Sequence, residues 1–174
     1  MNTLTDGVVT LERWRPEDLD ALVAAVSGSL EHVGAWLVWA TDGYGLAEGR
    51  EFLEGSAERW ASGEGFEYAI RTTAGTLVGG CGLMRRGEGR EIGYWLTKHA
   101  TGHGYATRAA ALLVTEAWRL GAPHVTILHD ELNSHSSAIP RRLGFSLHHQ
   151  EAAAGPIAPE CSGNDWVWRI ERPA

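Results

Sequence analysis

Thr101-Gly102-His103-Gly104-Tyr105-Ala106 leads directly into a run in which Ala106, Ala109, Ala110, Leu113, Ala117 and Leu120 stand at offsets 0, 3, 4, 7, 11 and 14. That spacing keeps one apolar stripe along an α-helix, and Gly121 with Pro123 just beyond ends it. Two glycines ahead of the helix let the backbone come close to a ligand. The first helical turn leaves N–H groups unbonded, with the positive end of the helix dipole behind them. A turn of this kind holds a pyrophosphate, but it also occurs as a plain strand-to-helix connection, so its neighbours decide between the two.

On the N-terminal side the pattern has period two. Phe66, Tyr68 and Ile70 alternate, Ala74-Gly75 turns, Thr76 to Met84 makes a second strand, Gly87-Glu88-Gly89 turns again, and Arg90 to Leu96 makes a third, an antiparallel meander. Further back, Val8 to Trp14 reads as a strand, and Pro16 opens a helix carrying Leu19, Leu22, Val23 and Val26 that ends at Gly28. Val33 to Trp39 is a short apolar stretch. Asp42-Gly43-Tyr44-Gly45 then leads into a helix from Leu46 to Ser62. After the central helix come a strand at Val125 to His129, a short helix at Ser136 to Leu143, and strands near Phe145 to Gln150 and Asp165 to Glu171 with a loop between them. The order predicts a mixed α/β fold with a strand-helix-strand unit at its centre. At 174 residues with no repeat or linker, residues 1–174 are expected to form one domain.

Composition narrows the function classes. Fifteen Lys and Arg against twenty-two Asp and Glu give a net charge of −7, the wrong sign for a surface that neutralises nucleic-acid phosphates. The longest apolar run, Ala109 to Val114, is far short of the ~20 residues that span a bilayer, so no membrane partner is expected. Glu12, Glu17, Asp18 and Asp20 near the start do not fit a signal peptide, which leaves a cytoplasmic expectation. Cys81 and Cys161 are far apart and suggest neither a disulfide nor a thiolate metal site. His99 and His103 are separated by glycine from any common helix, and no carboxylate completes a set around them, so no metal is expected.

A second motif stands about thirty residues beyond the glycine turn, directly after the next strand: Asn133-Ser134-His135-Ser136 through Leu143-Gly144-Phe145. Alone it would read as a helix cap. Together, E-I-G-Y-W-L at Glu91 to Leu96, G-H-G-Y-A-T at Gly102 to Thr107, N-x-x-S at Asn133 to Ser136 and R-R-L-G-F at Arg141 to Phe145 resemble the GNAT acyl-CoA N-acyltransferases. Within them the chain is similar to the RimJ/RimL-type ribosomal-protein N-acetyltransferases, from Val8 to about Arg172, with Trp36-Leu37-Val38-Trp39 and Asp165-Trp166-Val167-Trp168 also resembling that branch.

The resemblance implies a twisted, mostly antiparallel sheet. Its third meander strand and the following parallel strand splay apart to take the pantetheine arm of acetyl-CoA. It implies a pyrophosphate on Gly102, His103, Gly104, Tyr105, Ala106 and Thr107 through backbone N–H groups. Trp95 and Leu96 join the cofactor-binding set, Asn133 bonds the pantetheine, and Ser136 lies near the thioester sulfur as the candidate acid. Two departures from the family pattern stand out. Thr101 occupies a position usually held by Gln or Arg, and Pro140 one where many members carry an acidic Tyr. A proline there predicts that the short helix starts late or kinks.

Direct attack of a neutral amine on a thioester asks mainly for orientation and one donor to the oxyanion. An α-amino group titrates near ~8 and a lysine near ~10.4, so an α-amine needs less help at neutral pH. Glu91 is the candidate base, directly or through a water; it reads equally as a strand glutamate paired with Arg90 or Arg71. Trp36 and Trp39 form a candidate aromatic wall for the acceptor, and His129, beside Asp130 and Glu131, is a further substrate-facing candidate. The expectation is an N-acetyltransferase that moves an acetyl group from acetyl-CoA to a primary amine. An α-amino group of a protein N-terminus, a peptide or a small molecule is the first choice. A non-catalytic acyl-CoA sensor, another acyl-CoA, and an antibiotic or polyamine acceptor stay open, as does a homodimer.

Overall fold

A computed structural model describes residues 3–174. In chain order the elements are β1 (Thr3–Thr5), β2 (Val9–Arg13), α1 (Leu19–Ser27), α2 (Leu30–Gly34), α3 (Leu46–Ser62), β3 (Gly65–Thr72), β4 (Leu77–Arg86), β5 (Gly89–Leu96), α4 (Tyr105–Arg119), β6 (His124–Asp130), α5 (Ser134–Arg142), β7 (Ser146–Ala152) and β8 (Asn164–Glu171). The strands form one sheet in the order β1-β2-β3-β4-β5-β6-β8-β7. Only β5 and β6 pair in parallel; the other neighbours are antiparallel. A parallel pair needs a crossover, and α4 is that crossover.

Alternation along the strands divides the core in two. Tyr68, Ile70, Leu83, Ile92 and Ile127 face α4, whose Ala109, Ala110, Leu113 and Ala117 are fully buried against them. The alanines keep that helix close to the sheet, and α5 packs on the same side through Ile139. On the opposite face Ala69 and Trp95 meet α1, α2 and α3 through Leu22, Val26, Val33 and Leu53. The expected α/β class, the meander, α3 and α4 are therefore as the sequence patterns imply.

Three features differ from expectation. Residues 33–39 are not a plain apolar stretch, because α2 covers their first part and a 3-10 turn at Val38–Ala40 the last; five residues are too few to show a helical period. β1 forms at the chain start by pairing Thr3 with Glu12 and Thr5 with Thr10. The third difference concerns α5, which begins at Ser134 and not late: the Asn133 side chain accepts the Ser136 N–H at 3.2 Å and fixes the first turn. Pro140 lies inside this helix and cannot donate to the Ser136 carbonyl one turn back, and the Tyr94 hydroxyl donates to that carbonyl instead, at 3.4 Å.

β5 and β6 are joined only at Arg90↔Val125, Glu91↔Thr126 and Ile92↔Ile127. Beyond Ile92 the remaining half of β5, Gly93 to Leu96, pairs with β4 alone. On the β4 side that half is tight: a Cβ on Gly79 would collide with the Trp95 carbonyl oxygen and stand 2.9 Å from the Leu96 Cα. Gly79→Ala should therefore lower stability by about 1–3 kcal/mol, the usual cost of overpacking, seen as a fall of several degrees in Tm. An unchanged Tm would mean that the two strands part there at no cost.

Candidate active site

The gap between β5 and β6 is bordered on one side by the glycine turn. Gly102 and Gly104 have φ of +81° and +77°, the left-handed region, and a Cβ at either would meet nothing within 4 Å. The conformation is what requires glycine here. Arg108 makes the first bond of α4, its N–H to the Gly104 carbonyl at 3.1 Å, so the N–H groups of Tyr105, Ala106 and Thr107 are those of an open first turn. Around them, the Thr101 hydroxyl donates to the Lys98 carbonyl at 2.8 Å, and His103 has a ring nitrogen 2.9 Å from the Thr101 carbonyl and stacks on Tyr105. The turn is thus an exposed row of backbone donors on a braced loop, a fit for an anion of pyrophosphate type.

The other border is α5. The Asn133 side-chain oxygen accepts the N–H that caps the helix, and its amide N–H groups make no hydrogen bond to another described residue. The Ser136 backbone bonds to Asn133 and Tyr94, and its hydroxyl makes no hydrogen bond to another described residue. Burial pushes the Tyr94 phenol up to about 12, so it stays protonated and a donor. Trp95 and Leu96 sit on the half of β5 that β6 does not cover. The residues expected to bind the cofactor thus fall on three elements: the uncovered half of β5, the start of α4 and the start of α5.

On the α1–α3 face of the sheet a cavity of about 580 Å³ opens beside the gap. Its floor is made of Gly80, Gly82 and Gly93 on β4 and β5, and its walls are largely aromatic. Trp39, 44% exposed, packs edge-on against Tyr44 and Trp95 with ring centroids 5.6 and 5.9 Å apart, and Trp14 and Phe52 close the far end. Trp39 lines the cavity; Trp36 does not, and its carbonyl instead accepts the Cys161 thiol at 3.7 Å. Glu67 and Arg59 also line it, with two hydrogen bonds between them of 3.0 and 3.1 Å. Neither stood out in the sequence: Glu67 falls between Phe66 and Tyr68 and reads as the solvent side of a strand, and only the arrival of α3 over that face makes it a wall.

Glu91 is on the same sheet face as Gly93 but outside the lining of this cavity. Its partner is neither Arg90 nor Arg71: the Arg86 guanidinium bonds Glu91 at 2.8 Å and Glu151 at 2.6 Å, joining β4, β5 and β7. His129 is placed in the core, 8% exposed. The Trp168 indole N–H donates to its Nε2 at 2.9 Å, so its Nδ1 carries the proton and donates to the Asp130 carbonyl at 2.8 Å. Both nitrogens are committed and the ring is neutral. Among the described residues no group of side chains has the makings of a metal site, and no helix is long and apolar enough to cross a membrane.

Burial pushes the His129 imidazole below its ordinary value. The folded state then holds fewer protons than the unfolded one, so this contribution is complete above about 6.5, the unfolded histidine value, and is lost as pH falls below it. Tm should drop between pH 7 and pH 5, and drop less in His129→Gln, which keeps His32 and His124, two further histidines pushed down by burial. Equal drops in the two proteins would show that His129 has no part in it.

Residues 9–146 match the family model described as an acetyltransferase (GNAT) domain. Among curated proteins no sequence matches the chain. Solved structures do. A RimL ribosomal L7/L12 alpha-N-protein acetyltransferase in complex with coenzyme A superposes with a TM-score of 0.87 at 19% identity, over 97% of this chain and 96% of that one. The microcin C7 self-immunity acetyltransferase MccE, in complex with acetyl-CoA and AMP, gives 0.87 at 19%, over 97% and 94%. An acetyltransferase from Salmonella typhimurium that modifies the N-terminal serine of ribosomal protein L7/L12 gives 0.82 at 20%, over 95% and 96%. The parted parallel strands, the glycine turn and the family match agree, and the chain belongs to the GNAT acetyltransferase family.

Proposed function

We propose that this chain works as a single-domain, cytoplasmic N-acetyltransferase that moves the acetyl group of acetyl-CoA to a primary amine, most readily an α-amino group of a protein, peptide or small molecule. The observation that carries this reading is the parting of β5 and β6 after Ile92↔Ile127, with the donor-lined turn at one border and an aromatic, glycine-floored cavity opening beside it. Structural neighbours that hold coenzyme A or acetyl-CoA support it.

Bound acetyl-CoA supplies an activated acyl thioester, and little else is asked of the protein. The N–H groups of Gly102 to Thr107 hold the pyrophosphate, and the uncovered backbone of Gly93 to Leu96, with the Asn133 amide opposite, lines the pantetheine. Gly93 leaves room for the acetyl group, since a side chain there would project into open space on the acceptor face. The amine attacks the carbonyl carbon, the carbon–sulfur bond breaks, and the sulfur leaves as a thiolate that is protonated through the Ser136 hydroxyl, which regains its proton from solvent. Glu91, bonded by Arg86, receives the amine proton through a water.

Calorimetry with acetyl-CoA and a free-thiol assay over a panel of amines test the reading. Wild type should bind acetyl-CoA, and Gly104→Glu, which adds bulk and negative charge at the turn, should abolish binding while remaining folded. Unchanged affinity in that variant would remove the premise. Binding without thiol release for any amine would make the chain a sensor.

The two proposed proton carriers are separable. Ser136→Ala should keep acetyl-CoA affinity and lower turnover, whereas Glu91→Gln should lower turnover by roughly 10²–10⁴ and recover part of it at high pH, where free amine is abundant. A normal rate and pH profile in Glu91→Gln would reduce Glu91 to the ion pair with Arg86.

A further inference from the structure

The proposed transfer leaves the acceptor open, and the cavity wall narrows it. Glu67 on β3 lies directly across from Gly82 on β4, and Gly82 directly across from Gly93 on β5. Gly93 is also the first residue of β5 past its last pair with β6. The three residues therefore form one row on one face of the sheet, ending at the gap. At strand spacings of ~4.8 Å, the row from Glu67 to Gly93 is on the order of 10 Å long. Glycine keeps it clear. A Cβ on Gly82 would stand 3.1 Å from the Glu67 Cγ, so the Glu67 side chain leans over Gly82, and a Cβ on Gly93 would meet nothing.

The carboxylate at the head of this row is held from one side. Arg59 on α3 donates to both oxygens, from Nε at 3.1 Å and Nη2 at 3.0 Å, and the Glu67 side chain is 14% exposed. A carboxylate has about four lone-pair sites and Arg59 uses two, which leaves two for another N–H donor. Of the other carboxylates in the wall, Glu48 accepts the Gly45 N–H at 2.8 Å, capping α3, and both Glu48 and Glu51 are exposed to solvent. Arg59 is the one basic residue among the lining residues, against Glu48, Glu51 and Glu67. The rest of the wall offers ring faces, to which a cation is attracted and against which a flat apolar body packs.

We propose that Glu67 docks the ammonium group of the acceptor, and that the acceptor is a compact primary amine carried on an aromatic body. The inference rests on the transfer reading above and specifies its second substrate. A single ammonium on an arylalkyl frame matches the one half-buried carboxylate of the wall, Glu67, and its aromatic enclosure.

Tryptamine is the probe, titrated by calorimetry with and without coenzyme A, against its neutral analogue indole-3-ethanol and against spermidine. Wild type should bind tryptamine at least tenfold more tightly than either. Glu67→Gln should weaken tryptamine binding at least tenfold with acetyl-CoA affinity unchanged. Arg59→Met breaks the same ion pair and should lower Tm, yet it should bind tryptamine no more weakly than wild type, because the carboxylate loses its competing cation. The proposal is overturned if wild type does not bind tryptamine, or binds indole-3-ethanol or spermidine as well. It is equally overturned if Glu67→Gln has no effect, or if both variants lose binding in step with stability, which would make the pair a clasp between α3 and β3. Failure of acetyl-CoA itself to bind would count against the transfer reading alone, since amine binding is measured without coenzyme A as well.

Discussion

Parallel pairing between β5 and β6 stops after three residue pairs, and the site exists because it stops there. Neither strand frays. β5 keeps its partner β4 from Arg86↔Gly89 to Gly79↔Leu96, and β6 keeps β8 from His124↔Glu171 to Asp130↔Asp165. Each strand is held along its outer edge and open along its inner one, so the backbone groups of Gly93 to Leu96 that face the gap have no sheet partner. α4 and α5 then begin at the two borders of the gap, α4 with an open first turn and α5 with a first turn capped by Asn133.

Local exceptions to regular structure cluster at these borders. Gly102 and Gly104 take left-handed conformations to turn the chain into α4. Across the gap, Pro140 removes one donor from α5, and Tyr94, from the uncovered half of β5, supplies another to the stranded Ser136 carbonyl. That single long hydrogen bond ties the two borders together at the point where the sheet no longer does. The residue that breaks the family's usual Tyr position thus has a structural consequence of its own, an added link between α5 and β5.

What the sequence revealed follows from the range of each interaction. The stripe of α4 and the alternation of β3 to β5 are local periodicities, and the glycine turn is a local conformation, so all three were legible. α2 is too short for a period. Arg86 faces Glu91 only through the hairpin register, in which Met84 is opposite Glu91 and Arg86 lies diagonally two residues on, a relation the spacing to Arg90 or Arg71 does not show. His129 reads as a site histidine at a strand end until Trp168, thirty-nine residues on, is seen to donate to it. Glu67 shares this property: its role depends on α3 and on two glycines in other strands.

Charge gives the last link. A chain of net charge −7 looks ill suited to an anionic cosubstrate, yet the turn at Gly102 to Thr107 offers backbone dipoles and needs no side-chain cation. The arginine one turn into α4, Arg108, is paired with Asp6 at 2.7 Å. Separating the two recognition problems in this way leaves carboxylates free to act on the opposite face of the sheet. There Glu67 and Glu91 are each bonded by one arginine, Arg59 and Arg86. In the proposed reading a cationic amine entering from the α1–α3 side meets the Glu67 carboxylate, while the thioester reaches the same gap along neutral backbone. On that reading the sheet keeps two oppositely charged substrates apart until they meet at Gly93.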